Sequence, residues 1–445
     1  MSRRRAFATV MVFSTIIIAS VIVTVLQASA LGQATLGREA LARTRAYWAA
    51  RAGVESTIAR LEYDTQNDDH SSAYTVTDDM AAVAIGTMNG ASFHVMHSDA
   101  GNVVDGPADA HAKLNINSVT KDQLLLLEPF MAEDTADSIL DWIDTDEDVR
   151  PLGAELGYYQ SLPHPYEPRN GPMRSITELE LVAGADPRDV RGEDWNLNGV
   201  LDANENDGNA SYPSDNSNGV LDAGWSGLLT ASSREGTLSN SGQERLDLSS
   251  TDEGTLSTRL TVSRDQAKAI LDYVAAVPRA TLANFITTDL NTLAAQADAA
   301  TGSAGGGRGA TQRARVPALT TTQLGALLDE ATIGPPVAGP GKLNINSCSA
   351  DTLQYIPQLD AETADAIIAE RSSRAMGFTG LADLLSVPNI SRRQLATIYT
   401  LLGIRSNVYV VTSRGRDDHT GIEVEIVATV DRSTLPVVIQ EVRVR

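Results

Sequence analysis

The stretch with the sharpest chemical reading is "DWNLNGVLDANE", Asp194–Glu205. Its spacing fits a calcium loop of the EF-hand type at every position. Asp194, Asn196 and Asn198 would offer side-chain oxygens, Gly199 the sharp turn, and Val200 its carbonyl. Asp202 would act directly or through water, and Glu205 would close the site with both oxygens. Calcium takes about six to eight hard oxygens, which this pattern can deliver. The plainer alternative is a polar Asn-Gly turn between helices. Further on, "SDNSNGVLDAGW" repeats the core "NGVLDA" but begins at Ser214 and ends at Trp225, so it is no complete loop. Asp215, Asn218 and Asp222 remain candidate donors to a second ion. A third acidic group, Asp141, Asp144, Asp146 and Glu155, could hold metal or brace the Tyr158–Tyr159 region by hydrogen bonds. Bracing is the expected role.

No catalytic constellation accompanies these loops, and no enzyme is expected. His70, His94, His97, His111, His164 and His419 are scattered without zinc spacing. There is no nucleophile elbow or P-loop. The lone Cys348 excludes an intrachain disulfide. A formal net charge of -22 argues against nucleic acid, which needs clustered Lys and Arg.

The elements that must position the loops begin at the N-terminus. "MSRRR" precedes "AFATVMVFSTIIIASVIVTVL", Ala6 to Leu26, which carries no charge. At about 1.5 Å per residue that run spans roughly 30 Å, a bilayer core. Arg3, Arg4 and Arg5 would stay cytoplasmic, placing the rest outside an inner membrane. A cleaved signal peptide is the alternative, with Ala28-Ser29-Ala30 as its cut. The pattern continues into an amphipathic helix with Leu36, Ala40, Tyr47, Ala50, Val54, Ile58 and Leu61 on one face. Two strand-like regions follow far apart. Ala91–Asp105 reads as a hairpin, and "NVYVVTS", "GIEVEIVATV" and "LPVVIQEVRV" read as three C-terminal strands with one face buried. About three hundred mainly helical residues lie between them, including a glycine-rich loop at Ala299–Arg315.

That insertion writes "KLNINS" twice, at Lys113–Ser118 and Lys342–Ser347, with a softer echo "RLDLSS" at Arg245–Ser250. Each exact copy opens a similar helical segment. Leu and Ile of the motif should be buried, while Asn and Ser bond backbone and cap the next helix. The units resemble the helix-hairpin-helix of DNA receptors but lack its glycine turn. Their turns read "EPFMAED" and "PQLDAET", acidic where phosphate would sit.

A long helix on an antiparallel sheet resembles the type IV pilin-like proteins, which implies a leader cut by a prepilin peptidase between Ala6 and Phe7, with Phe7 then methylated. The family's usual glycine before the cut is alanine here. Over nearly the whole chain the sequence resembles the protein K family of type II secretion systems. "DWIDTDEDVRPLGAELGYYQSLPHPYEPRNGPMRSITELELV" (Asp141–Val182) is the most specific part. The resemblance implies an α+β fold: a pilin-like N-terminal helix on an antiparallel sheet, with a large helical insertion of helix-hairpin-helix-like (SAM-like) units. Expected boundaries are a leader at 1–6, the helix at 7–62, sheet at 63–111, and insertion at 112–340 with a calcium region at 191–226. A second helix-hairpin-helix-like unit follows at 341–405, and final strands at 406–445. It further implies a minor pseudopilin at the tip of a periplasmic pseudopilus, working with other minor pseudopilins and the major pseudopilin in protein export. The alternative is a membrane-tethered receptor binding a ligand or DNA through the helical units.

Overall fold

A computed structural model describes residues 2–67, 72–99, 101–127, 131–301 and 315–445, with residues 2–6 described by backbone alone. The expected turn residues Glu128–Phe130 and most of the glycine-rich stretch lie outside the described residues.

Helix α1 (Ser2–Asn67) runs unbroken through the expected cut site and past the expected end at 62. Its length and apolar first part suffice to cross a membrane, and Phe7, Phe13, Ile17 and Leu26 are exposed. Packing begins at Ala42, not at Leu36, which is 67% exposed. From there Ala46, Ala49, Ala50, Val54 and Leu61 are fully buried. Small residues let the helix lie close against the sheet. At Gly415 a Cβ would stand 2.0 Å from the Ala46 carbonyl oxygen, so the strand there must be side-chain-free.

The sheet comprises β1 (Ile85–Met88), β2 (Ala91–Asp99), β3 (Asn102–Asp105), β4 (Val408–Asp417), β5 (Glu423–Asp431) and β6 (Val438–Val444). Its path is β1-β2-β4-β5-β6, all antiparallel, with β3 and Ala108–Asp109 paired off it. The expected hairpin and the three C-terminal strands are present. Strand β1 and the helix α2 (Thr75–Ala82) were not expected from the sequence. The one-face burial assigned to β5 needs correction. Ile426, Ala428 and Val430 belong to the apolar cluster around α1, as expected. Glu425, Val427 and Thr429 are buried as well, on the opposite face. Both faces are covered because the insertion folds back onto the sheet.

The motif repeat has a structural explanation, and the softer echo opens a unit of its own. Leu114–Asn115 pairs in parallel with Leu229–Thr230, Leu246–Asp247 with Ala331–Thr332, and Leu343–Asn344 with Leu402–Gly403. Each motif is thus the opening edge of a helical unit whose last residues return beside it. The next apolar residue continues each ladder: Ile116 N–H donates to the Thr230 carbonyl, Leu248 to Thr332 and Ile345 to Gly403. The first Asn turns its own chain, with Asn115 Oδ1 accepting from Asn117 N–H and Asn344 Oδ1 from Asn346 N–H, each at 2.9 Å. Asp247 Oδ1 does the same for Ser249 N–H at 2.8 Å.

The second Asn clips a distant backbone segment. Asn117 gives Nδ2 to the Met173 carbonyl at 3.0 Å and accepts the Met173 N–H at 2.7 Å. Asn346 repeats this at Phe378, 3.0 and 2.8 Å, and adds the Ile404 carbonyl at 2.9 Å. Ser249, exposed in the middle unit, cannot reach so far. The helix caps are not the motif serines as expected. They are Thr120, Asp252 and Ser349, slightly downstream. The three units share one apolar core, running from Leu114 through Leu256 and Leu324 to Ile404.

Candidate metal centre and its seat on the sheet

The loop Asp194–Glu205 closes on itself through its expected donors. Asp194 Oδ1 and Asn196 Oδ1 accept from one donor, the Asn198 N–H, at 3.0 and 2.9 Å, so the two oxygens converge. Asp194 Oδ2 accepts from Gly199 N–H at 3.0 Å, and Asn198 Oδ1 from Val200 N–H at 2.8 Å. Gly199 takes a φ of +70°, the left-handed turn that favours glycine. Glu205 ties the ends together: Oε1 accepts from Trp195 N–H at 3.2 Å and Oε2 from Asp202 N–H at 3.1 Å. Asp202 in turn accepts from the amides of Asn196 and Asn198 at 2.8 and 3.1 Å.

This arrangement concentrates negative charge away from water. Asp194 and Glu205 are 4% and 1% exposed. Burial pushes the Asp194 carboxyl above the usual carboxylate range, against its bonds from Gly199 and Asn198 and the nearby Lys113. Glu205 is pushed up to about 7, first by burial, with the Asp194 and Asp202 charges adding to it. A divalent cation would relieve that penalty, and the donors are the hard oxygens calcium prefers. Among the described residues, no three His, Cys, Asp or Glu side chains already stand together as a metal cluster. Asp202 is partly drawn off by Arg414, Nη2 to Oδ1 at 2.7 Å. The loop's chemistry therefore depends on Asn and carbonyl oxygens beside its carboxylates.

The same loop is the insertion's seat on the sheet. Gly199 carbonyl accepts from Ser98 N–H of β2 at 2.7 Å, and Ser98 Oγ accepts from Leu201 N–H at 2.9 Å. Thr412 of β4 donates its hydroxyl to the Asn198 carbonyl at 2.6 Å. Asn198 Nδ2 donates to both oxygens of Glu425 on β5, and Arg414 links Glu425 to Asp202. Arg443 of β6 donates to the Leu197 carbonyl at 3.2 Å. Four strands therefore hold one loop.

The second loop differs from expectation. Asp215 is spent on backbone, accepting from Asp207, Gly208 and Ser217 N–H groups. Those bonds hold its carboxyl below the usual range, against the opposing effect of burial. Asn216 Oδ1 accepts from Asn218 N–H at 3.0 Å and Asn218 Oδ1 from Val220 N–H at 2.7 Å, matching Asn196 and Asn198. Trp225 occupies the closing position, fully buried in the core. Its place is taken from outside the loop by Glu193, whose Oε1 accepts from Asn216 N–H at 2.9 Å and Oε2 from Asp222 N–H at 3.2 Å. Glu205 binds its own loop in the same way. Asn216 was legible by aligning the two "NGVLDA" loops. Glu193 was not, since nothing in its spacing marks it.

The third acidic group closes a loop through its side chains, and the Glu155 carbonyl accepts from the Tyr158 and Tyr159 N–H groups at 2.8 and 3.4 Å. Arg150 Nη1 donates to Asp141 Oδ1 and Asp144 Oδ2, each at 2.5 Å. Asp146 is exposed and caps Asp148 N–H. Among the described residues the buried Glu155 carboxyl meets no side-chain partner, and burial, then Asp141 and Asp144, push it up against a backbone bond from Leu156. Tyr159 is also held by rings, with Trp142 and Tyr166 each at 5.3 Å, and by the Ala183 N–H.

Comparison with known proteins follows this geometry. The family model described as type II secretion system (T2SS), protein K matches residues 112–192. The helix-hairpin-helix motif model matches residues 340–402, the third unit. No curated protein matches. Among solved structures, a chain of the GspK-GspI-GspJ complex from the enterotoxigenic Escherichia coli type 2 secretion system is similar at 13% identity. The similarity covers 92% of this chain and 99% of that one, with a TM-score of 0.47. The block that carried the sequence resemblance, Asp141–Val182, lies inside the first matched segment, so residues 112–192 are similar to the type II secretion system protein K domain.

Proposed function

We propose that this chain is a minor pseudopilin of a type II secretion system, anchored in the inner membrane by α1 and assembled at the tip of a periplasmic pseudopilus. The observation that carries the reading is a segment similar to the protein K domain, inserted into a helix-on-sheet body between β3 and β4. Its partners would be other minor pseudopilins and the major pseudopilin, packed along α1 after cleavage between Ala6 and Phe7. Methylation would follow at Phe7. The work is mechanical, with no enzyme chemistry and no nucleic acid. The position favours the tip because α1 carries no acid before Glu39. A buried carboxylate in the membrane needs a cationic partner. The family expectation is that such an acid, fifth from the mature end, meets the amine of the subunit nearer the tip. Met11 stands there instead, and a terminal subunit has no such amine to meet.

Calcium in the Asp194–Glu205 loop would fix the insertion on the sheet, through Asp194, Asn196, Asn198, the Val200 carbonyl, Asp202 and Glu205. The second loop, with Glu193, Asn216, Asn218 and Asp222, is a candidate for a second ion. Cysteine cross-linking along α1 in membranes of an actively secreting cell tests the assembly. Cross-links to other pseudopilins are expected, and cross-links to copies of this chain alone would count against it.

A further inference from the structure

Asn198 stands at the fifth position of the loop pattern, where a side-chain oxygen must face the ion. Its amide can be turned either way, and only one turn presents Oδ1 to the loop. The loop supplies part of the constraint. Oδ1 accepts from Val200 N–H at 2.8 Å, and Nδ2 donates to Asp202 Oδ2 at 3.1 Å. The second loop repeats the first of these bonds, from Val220 N–H to Asn218 Oδ1. Asn218 is exposed, however, and among the described residues its Nδ2 makes no hydrogen bond.

At Asn198 the sheet adds a carboxylate behind the amide. Asn198 is 2% exposed, and its Nδ2 also donates to Glu425 Oε1 and Oε2 on β5, at 3.1 and 3.0 Å. An ionised carboxylate only accepts, so it takes the NH2 end and repels the oxygen end. Turned over, Asn198 would set its oxygen about 3 Å from two carboxylate oxygens and its NH2 against the Val200 N–H. Glu425 therefore holds the amide with its oxygen directed away from β5.

Packing alone does not account for a carboxylate at this place. Glu425 is 8% exposed, and the next residue on the same face of β5, Val427, is apolar and buried. A buried carboxylate is costly unless its oxygens are used. Besides Asn198, Glu425 meets its cross-strand partner Arg414, which donates Nη2 to Oε2 at 2.8 Å. The same Nη2 serves Asp202 Oδ1, so one guanidinium is shared between two carboxylates.

We propose that Glu425 is a positioning residue for calcium in the Asp194–Glu205 loop, an assignment that rests on the calcium reading of that loop. It orients Asn198 as an oxygen donor from more than two hundred positions away. The affinity of the loop then depends on its contact with the sheet.

The test is calorimetric titration of the full chain in a neutral detergent with calcium chloride, following the step that Glu205→Ala abolishes. Glu425→Gln should weaken that step at least about tenfold. Asn198→Ser keeps a ligand oxygen and removes the amide. In that background Glu425→Gln should cost no more than about threefold, the part owed to charge and to Arg414. An equal factor in both backgrounds would overturn the proposal. Glu425→Asp keeps the charge but draws it back from Asn198, so it too should weaken binding, and it gives the same reading if Glu425→Gln does not fold. Glu425 variants that bind calcium as wild type does would overturn the positioning role and leave the calcium reading standing. A wild-type chain with no such step would overturn both.

Discussion

Asn346→Ala asks whether the repeated motif is a backbone clip. Asn346 is 6% exposed and makes three bonds, to the Phe378 carbonyl, the Phe378 N–H and the Ile404 carbonyl. Truncation strands one donor and two acceptors in a dry interior. Each buried orphan costs about 1–3 kcal/mol, and nearby relaxation reduces the sum, so a loss of about 3 kcal/mol is expected. The equivalent Asn117 is less buried and makes two bonds, both to Met173, so Asn117→Ala should cost about 1–2 kcal/mol. Ser249 of the middle unit makes no such clip, and Ser249→Ala should stay within about 0.5 kcal/mol. Hydrogen–deuterium exchange of the peptide around Phe378 reads the first value as local opening about a hundredfold more frequent. Three variants of equal effect, or Asn117→Ala the worst, would refute the clip and leave the motif as simple helix-edge packing.

Four shorter predictions accompany it. Asp329 should make stability depend on pH with an unusual sign. Its folded carboxyl is raised from 3.8 to about 6, so the folded state holds a proton the unfolded chain has released. Its contribution is fully present below pH 3.8 and is lost as pH rises to about 6, by roughly 2–3 kcal/mol. Asp329→Asn should flatten that part of a stability–pH curve, and an unchanged slope would contradict the assignment. Asp194→Ala and Glu205→Ala should abolish the rise in melting temperature that calcium gives wild type, a rise worth about 2.7 kcal/mol at a hundredfold excess over Kd. No calcium response in wild type would remove the metal reading. Glu193→Gln should weaken a second calcium step while leaving the first intact, and loss of both together would show one shared site. Terminal sequencing of the membrane-bound chain should find Phe7, whereas Leu31 would restore the signal-peptide alternative.

The sequence was most readable where one physical signal dominated. The apolar run to Leu26 and the alternation in β5 each gave the right element, and the spacing at Asp194–Glu205 gave a loop that closes on its own side chains. Reading failed where tertiary contact decided. Leu36 fits the amphipathic face of α1, yet the sheet begins to cover the helix only at Ala42. Glu425 looks like a solvent residue on an open face, but it receives Asn198 from a loop more than two hundred positions away and Arg414 from the neighbouring strand β4. The middle unit was legible only as a softer echo, because "RLDLSS" keeps the ladder residue Leu248 and the turning carboxylate Asp247 while dropping the second Asn. Glu193 escaped for a related reason. A carboxylate supplied from outside its loop has no fixed spacing to detect.

The proposed place of this chain at the end of a pseudopilus can be seen directly. A gold label on an engineered tag in the helical insertion, imaged on assembled pseudopili, should give one particle at one end. Particles spaced along the shaft would contradict the tip position, and filaments without any label would contradict the pseudopilin reading itself.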